Sequence, residues 1–256
     1  MVPLITALGA GFMARVGRLG RTAMFFGQTL FCCLTPPIKA GRVLRQIWFI
    51  GWKSMPVIAL TGTFTGMVLG LQGFPTLRRV GSEAFLGPLV ALSLIRELGP
   101  VLTALMVTGR AGSSIAAEIG IMRTNDQIDA LELMGLNPLR YLVAPNLLAA
   151  LVALPVLTAA FDVIGIWGGY MVGVRLLGLN GGTYFGEMSN YVEMKDIVGG
   201  VYKALSFGVL IAWVCCYKGY YSRVGAEGVS VATTQAVVNA SVLILVWDYF
   251  VASLVF

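Results

Sequence analysis

The sequence predicts an all-α integral membrane protein, with an N-terminal interfacial amphipathic helix, five transmembrane helices, and a short cytoplasmic helix between the second and third. Two observations predict this class. Hydrophobic residues make up 57% of the 256 residues and charged residues only 12%, whereas soluble domains carry about 25% charged residues. Uncharged runs are also long enough to cross a bilayer, as between Lys53 and Arg78.

The N-terminal region, residues 1–53, precedes the membrane domain, residues 54–256. It contains seven basic residues and no acidic ones. Arg15, Arg18 and Arg21 recur every three residues and therefore share one helix face. A helix of this kind is expected to lie in the membrane interface, with its cations toward anionic headgroups.

Five transmembrane helices are predicted from the spacing of charged residues. Their approximate bounds are 54–77, 84–109, 141–174, 197–217 and 229–256. Glycines recur at i+4 in two of them: Gly62, Gly66 and Gly70 in the first, and Gly165, Gly169 and Gly173 in the third. Such stripes let helix backbones approach closely. The favoured interpretation is packing within the chain.

The distribution of Lys and Arg predicts the orientation. With the N-terminus in the cytoplasm, segments on that side carry twelve Lys and Arg, and segments on the outer side carry four. Cytoplasmic segments of membrane proteins carry the excess of these residues. The C-terminus is therefore expected on the outer side, and the net charge of +6 does not call for a nucleic-acid partner.

Arg96 and Glu97 lie near the middle of the second predicted span. A charge at that depth costs about 2.5–3.5 kcal/mol on insertion scales, and such side chains usually face the bundle interior or a wet cavity. Adjacent side chains diverge by about 100° around a helix, so the two cannot pair face to face. Pro100 predicts a kink, since a helical proline clashes with the carbonyl four residues earlier.

Two interpretations of these charges stay open. In the functional one, Arg96 meets an anionic group in a lipid or ion pathway, because broken helices at membrane depth commonly line cavities. In the structural one, Arg96 or Glu97 pairs with another intramembrane charge. The candidates for that partner are Lys203, Asp162 and Asp248.

Residues 124–134 are predicted to form the short cytoplasmic helix. Thr124 and Gln127 fit a capping box, and Gly135 is placed to end the helix. The other side chains form an acidic row of Asp126, Asp129 and Glu132 and an apolar row of Ile128 and Leu131. The apolar row predicts docking into a soluble subunit, with packing on the chain's own bundle as the alternative.

The sequence lacks the residues of common catalytic sites. There is no His, so neither a Ser–His nor a Cys–His nucleophile can form, and no G-x-x-x-x-G-K-[ST] loop occurs. The pairs Cys32–Cys33 and Cys215–Cys216 do not have zinc-site spacing, and reduced thiols are expected. No catalytic residue, metal or cofactor is expected in this chain. Any energy-requiring activity of the protein would therefore be driven by an ion gradient or by another subunit.

Several motifs follow one another in order along the chain. They are RELGPVLTA at 96–104, GRAGS at 109–113, AEIG at 117–120, DQIDAL at 126–131, MG with NP at 134–138, GAEGV at 225–229, ATT at 232–234 and AVV at 236–238. From about residue 45 to the end, the chain resembles the MlaE permease family of Gram-negative bacteria.

The resemblance implies the permease subunit of an ABC transporter that moves phospholipids between the inner and outer membranes and maintains outer-membrane lipid asymmetry. It implies a homodimer in the inner membrane, with the ATPase MlaF and the STAS-domain protein MlaB on the cytoplasmic side. A hexamer of the MCE-domain protein MlaD is implied on the periplasmic side. The ATPase would bind ATP and magnesium, and phospholipid would occupy a cavity at the dimer centre.

The resemblance also carries roles over to particular residues. The helix at 124–134 resembles the family's coupling helix, which implies ATPase contacts from Asp126, Gln127, Ile128, Asp129, Leu131 and Glu132. Here Asn125-Asp126-Gln127 stands where Glu-Gln is the commoner pattern, so the acidic side chain is one methylene shorter. Arg96 and Glu97 match the family's membrane-embedded charged pair. Cavity lining is expected from Leu71, Phe74, Leu77 and Val80.

Two other functions remain alternatives on the residues alone. One is a gradient-driven secondary transporter in which Glu97, Lys203 and Asp248 form a proton relay. The other is a structural membrane anchor for a periplasmic complex. Neither alternative requires an ATPase partner, whereas the ABC transporter permease does.

Overall fold

The computed structural model describes residue 17 and residues 20–33 and 40–255. Within these residues the chain forms helices and short connections, with no strand. The helices are α1 (20–33), α2 (Ala40–Ile50), α3 (Met55–Arg79), α4 (Glu83–Thr124), α5 (Gln127–Leu133), α6 (Leu139–Leu176), α7 (Gly181–Tyr191), α8 (Met194–Tyr220) and α9 (Ala226–Val255).

Five stretches of the described chain are long and apolar enough to cross a membrane, which confirms the predicted number of spans. They are α2 together with α3, then α4, α6, α8 and α9. The most apolar parts of α6 and α8 are each 50% buried within the chain, whereas that of α9 is 22% buried. The core of the bundle therefore lies around α4, α6 and α8, with α3 and α9 more peripheral.

The bounds of two connections differ from the prediction. The segment between the second and third predicted spans, 110–140, was expected to be a polar connection, but α4 continues through it to Thr124. The loop predicted from Arg175 to Asp196 contains α7. This helix is held by Tyr184, which is fully buried and donates a hydrogen bond to the carbonyl oxygen of Ile166 at 3.1 Å.

The glycine stripes of α3 and α6 pack against each other, which agrees with the predicted use of such stripes for packing within the chain. Gly66 lies in backbone contact with Gly165, and a Cβ on Gly70 would stand 3.2 Å from the carbonyl oxygen of Gly169. With no side chains between them, the two backbones approach closely along several turns. This contact fixes α3 on the core.

The α1 helix packs across one end of the bundle. Phe25 is buried against the rings of Tyr217, Tyr220 and Tyr221, at the end of α8. Arg15 and Arg18 lie outside the described residues, and an interfacial position for α1 stays a prediction. All four cysteines are free thiols, and burial beside Cys32 raises the pKa of the Cys33 thiol.

Candidate functional site

The middle of α4 departs from α-helical geometry. Residues Leu94–Leu98 form a π-helical turn, and the N–H of Gly99 bonds to the carbonyl oxygen of Leu94, five residues earlier. Pro100 falls in the first turn of the α-helical segment that follows, where a missing N–H is tolerated. The predicted interruption at Pro100 is thus a widened turn, and π-turns of this kind are frequent at functional sites.

Arg96 pairs with Asp196, at the first turn of α8. Its Nε and Nη2 atoms each lie 2.8 Å from Asp196 Oδ1. Asp196 is nearly fully buried, and its Oδ2 also accepts the backbone N–H of Glu193 at 3.1 Å, as part of a capping box. The Arg96 side chain is still 42% exposed.

Asp196 was not among the predicted partners of Arg96, because the sequence placed it in the outer loop. One signal could have found it. Glu193 and Asp196 have capping-box spacing immediately before an apolar run. That spacing puts Asp196 inside the first helical turn, facing the bundle rather than in the loop.

Glu97 and Asp248 both pair with Lys203. The Lys203 side chain is fully buried, and its Nζ lies 2.6 Å from Glu97 Oε2 and 3.0 Å from Asp248 Oδ1. One ammonium group thus joins α4, α8 and α9. Of the three candidate partners named from the sequence, Lys203 and Asp248 therefore lie in one cluster with Glu97. This supports the interpretation in which Glu97 pairs with other intramembrane charges.

Asp162 lies apart from these ion pairs. Its Oδ1 is buried without a hydrogen-bond partner in the described residues, and it presses against Gly99, just beyond the π-helical turn. Asp162 and Thr158 lie in a cavity of about 180 Å³ beside Ile95. Asp162 is therefore not the counter-ion of Arg96 that the sequence suggested as one option.

The four side chains expected to line a cavity do not share one surface. Leu71 and Val80 are exposed, whereas Phe74 is buried and Leu77 is partly buried against the core. Phe74 is thus part of the packing of α3 within the chain. Only the outward-facing members of this set are available to a lipid or to a second subunit.

The α5 helix also differs in detail from the prediction. It begins at Gln127, and no side chain caps it, because Asp126 adopts a left-handed conformation (φ 54°). Thr124 instead donates its hydroxyl to the Gly120 carbonyl oxygen at 3.1 Å. The predicted capping box is therefore wrong. The predicted stop at Gly135 is present, with φ 73°.

The apolar row of α5 is directed inward. Ile128 is fully buried and Leu131 nearly so, so these side chains pack within the chain, and the expected exposed row is wrong. The exposed apolar side chains lie at the end of α5 and directly after it, where Leu133 is 90% exposed and Met134 is 66% exposed. Sequence periodicity correctly placed Ile128 and Leu131 on one helix face, but it did not show that this face packs against the chain's own bundle.

The acidic row of α5 is held by neighbouring elements. Asp129 accepts from Arg123 Nη1 at 2.6 Å, and Glu132 accepts from the Tyr220 hydroxyl at 3.4 Å. Both carboxyl groups remain at the surface of this end of the bundle. The end therefore presents carboxylates beside the exposed Leu133.

Comparisons with known proteins agree with this architecture. The family model described as Permease MlaE matches residues 43–254. The intermembrane phospholipid transport system permease protein MlaE of Haemophilus influenzae is 42% identical over all of this chain and 98% of its own length. A probable ABC transporter permease protein of Rickettsia bellii is 42% identical over all of this chain and 99% of its own length. The chloroplastic protein TRIGALACTOSYLDIACYLGLYCEROL 1 of Arabidopsis thaliana is 34% identical over 90% of this chain and 66% of its own length.

The family match covers the helices that carry Arg96, Glu97 and Lys203, and two full-length relatives are well above 30% identity. Together with five membrane-spanning helices, this makes the chain a multi-pass inner-membrane protein. The chain belongs to the MlaE permease family.

Proposed function

We propose that this chain is the membrane subunit of an ABC transporter that moves phospholipid between the inner and outer membranes and maintains outer-membrane lipid asymmetry. One observation carries the proposal: Arg96 lies at a widened helix turn within a span, is held by Asp196, and keeps 42% of its side chain exposed. An oriented guanidinium at this depth suits a phosphate group. The names of the Haemophilus and Rickettsia relatives support the cargo and the transporter class.

The test of Arg96 must not leave Asp196 unpaired, because an isolated buried carboxylate destabilises the fold by itself. The double variant Arg96→Gln with Asp196→Asn removes both charges. We expect it to assemble normally and to transfer fluorescent phospholipid from proteoliposomes at least about tenfold more slowly, the effect of one lost charge-assisted hydrogen bond. Transfer at the wild-type rate would show that Arg96 only supports the helices.

The energy for transport comes from a separate ATPase that docks at α5. The acidic Asp129 and Glu132 and the exposed Leu133 form a mixed surface suited to a soluble partner. The relatives named ABC transporter permeases support such a partner. The purified chain should hydrolyse no ATP, and affinity purification from the native membrane should recover an ATPase.

Leu133→Asp is expected to reduce ATPase recovery at least about tenfold, since Leu133 is the most exposed apolar side chain of α5 and a charge there opposes desolvation. The chain itself should stay folded. Val80→Asp, at the opposite end of the bundle and also exposed, is the matched control. Equal ATPase recovery from both variants would show that Leu133 of α5 does not contact the ATPase.

A homodimer with the α5 end in the cytoplasm completes the proposal. The most apolar parts of the α2–α3 stretch and of α9 are only 28% and 22% buried within one chain, which leaves their outer faces for a second copy. MlaB and an MlaD-type hexamer would bind the assembled dimer on the cytoplasmic and periplasmic sides. The excess of Lys and Arg at the α5 end supports this orientation.

A proton relay through Glu97, Lys203 and Asp248 is the second candidate function. The Arg96–Asp196 pair and the triad around Lys203 together contain three carboxyl groups and two cations. Full ionisation therefore leaves one negative charge in excess. Transport by the purified chain alone, in liposomes under a proton gradient, would favour the relay over the ATP-driven permease.

A further inference from the structure

A polar pocket of about 220 Å³ lies at the α5 end of the bundle, away from the intramembrane charges. It is enclosed by α2, the last turns of α4 and the first turns of α6. Six polar or aromatic side chains face it: Arg42, Arg45, Gln46, Glu118, Tyr141 and Asn146. We call it the α2 pocket.

The cations of the α2 pocket come from one face of α2. Arg42, Arg45 and Gln46 are three or four residues apart and are therefore neighbours on the helix surface. The Arg42 guanidinium is oriented by Tyr141, since its Cζ lies 3.1 Å from the ring centre and its Nη1 donates to the Tyr141 carbonyl oxygen at 3.3 Å. Planar guanidinium groups bind phosphate oxygens with two parallel hydrogen bonds.

The opposite wall carries an unused acceptor. Asn146 is 95% buried, and its Nδ2 donates to the Leu142 carbonyl oxygen at 2.9 Å. Its Oδ1 has no hydrogen-bond partner among the described residues. A buried acceptor left without a donor is costly, and Asn146 is one of the residues that line the pocket. The wall therefore suits a ligand that brings an N–H or O–H donor.

Glu118 adds a negative charge to the same pocket. It lines the cavity together with Arg42 and Arg45, yet no ion pair within 4 Å joins it to either arginine in the described part of the chain. The pocket thus presents separate positive and negative groups. A ligand with one phosphate and one ammonium group satisfies both.

The position of the pocket identifies the kind of ligand. Apolar side chains of Ile119, Met122 and Leu142 complete its walls. The α2 helix is the start of the 40-residue stretch Ala40–Arg79, which is longer than the roughly 20 residues that cross hydrocarbon. A phospholipid headgroup lies at this level of a membrane protein. We propose that the α2 pocket binds the phosphoethanolamine headgroup of a phospholipid, with the phosphate at Arg42 and Arg45 and the ammonium group at Glu118 and Asn146.

This site is distinct from the Arg96 site and does not depend on transport or on its direction. It can be tested on the delipidated full-length chain in detergent, by native mass spectrometry with added dioleoyl phosphatidylethanolamine. Arg45→Gln is expected to weaken retention of this lipid about tenfold, as for the loss of one hydrogen bond to a charged group. Arg223→Gln, an exposed cation at the same end, is the control.

Glu118→Gln tests the ammonium contact. The wild-type chain should prefer phosphatidylethanolamine over phosphatidylglycerol, which carries the same phosphate without the amine, and the variant should lose this preference. Competition by soluble phosphoethanolamine distinguishes a headgroup site from general binding of acyl chains. Equal retention by the Arg45 and Arg223 variants, or an unchanged preference in the Glu118 variant, would overturn the proposal.

Discussion

Replacing Lys203 with methionine is expected to remove most of the folded protein from the membrane. Lys203 is fully buried and lies within 3.0 Å of carboxylate oxygens of both Glu97 and Asp248. Without the ammonium group, two carboxylates on neighbouring helices face each other with no counter-ion. Breaking a buried ion pair by removing one partner costs about 3–5 kcal/mol. Because the Glu97 side chain is 46% exposed and that of Asp248 is 20% exposed, the cost is expected at the lower end of this range, which is still a large part of the stability of an average domain.

The measurement is the amount of monodisperse protein after detergent extraction, followed by size-exclusion chromatography and thermal unfolding. The matched variant removes all three charges at once: Glu97→Gln, Lys203→Met and Asp248→Asn. It should recover folded protein, because it leaves no charge unpaired. A Lys203→Met protein with the yield and melting temperature of the wild type would contradict the assignment of a structural triad.

The same neutral variant separates the two interpretations of the triad. If it folds and the assembled complex still transfers lipid, the triad only holds α4, α8 and α9 together. If it folds but transfer stops, the charges also act in transport. Lys203→Met alone cannot make this distinction, since loss of folding removes activity for either reason.

Local sequence patterns predicted the membrane-spanning helices well, because hydrophobic length is set by the bilayer itself. The five spans follow from uncharged runs, and the use of the glycine stripes for packing within the chain follows from their i+4 spacing, although which helices they join became clear only from the structure. In both cases the pattern directly reflects the physical constraint. The start of α8 was less well predicted, because Asp196 is polar and looks like part of a loop until its capping role is recognised.

Questions about which surface covers a side chain could not be answered from the sequence. The apolar row of Ile128 and Leu131 is correct as a row, but periodicity cannot distinguish a partner protein from the chain's own bundle. Phe74 was expected at a cavity because of its place at the outer end of the first span, and it is buried in the core. The ion pairs likewise needed tertiary structure, since Glu97 and Lys203 are 106 residues apart.

Gly66→Ala is expected to destabilise the protein strongly, although it adds only one methyl group. A Cβ at this position would overlap the backbone carbonyl group of Gly165. Overpacking costs about 1–3 kcal/mol when side chains can shift. Here the obstructing atoms are backbone, so α3 or α6 must move as a whole, and the cost is expected at the upper end of this range or above.

Gly109→Ala is the matched control, because a Cβ on Gly109 meets no atom of another element within 4 Å. Alanine favours a helix over glycine by about 1 kcal/mol, so this variant should be as stable as the wild type or more so. Gly66 lies in regular α-helix, so alanine gains helix propensity there as well, and any loss of stability must come from the contact with α6. Equal melting temperatures for the two variants would show that the α3–α6 contact can open by the width of a methyl group. In that case α3 is not fixed on the core, and the exposed faces of Leu71 and Val80 are free to shift relative to the Arg96 site.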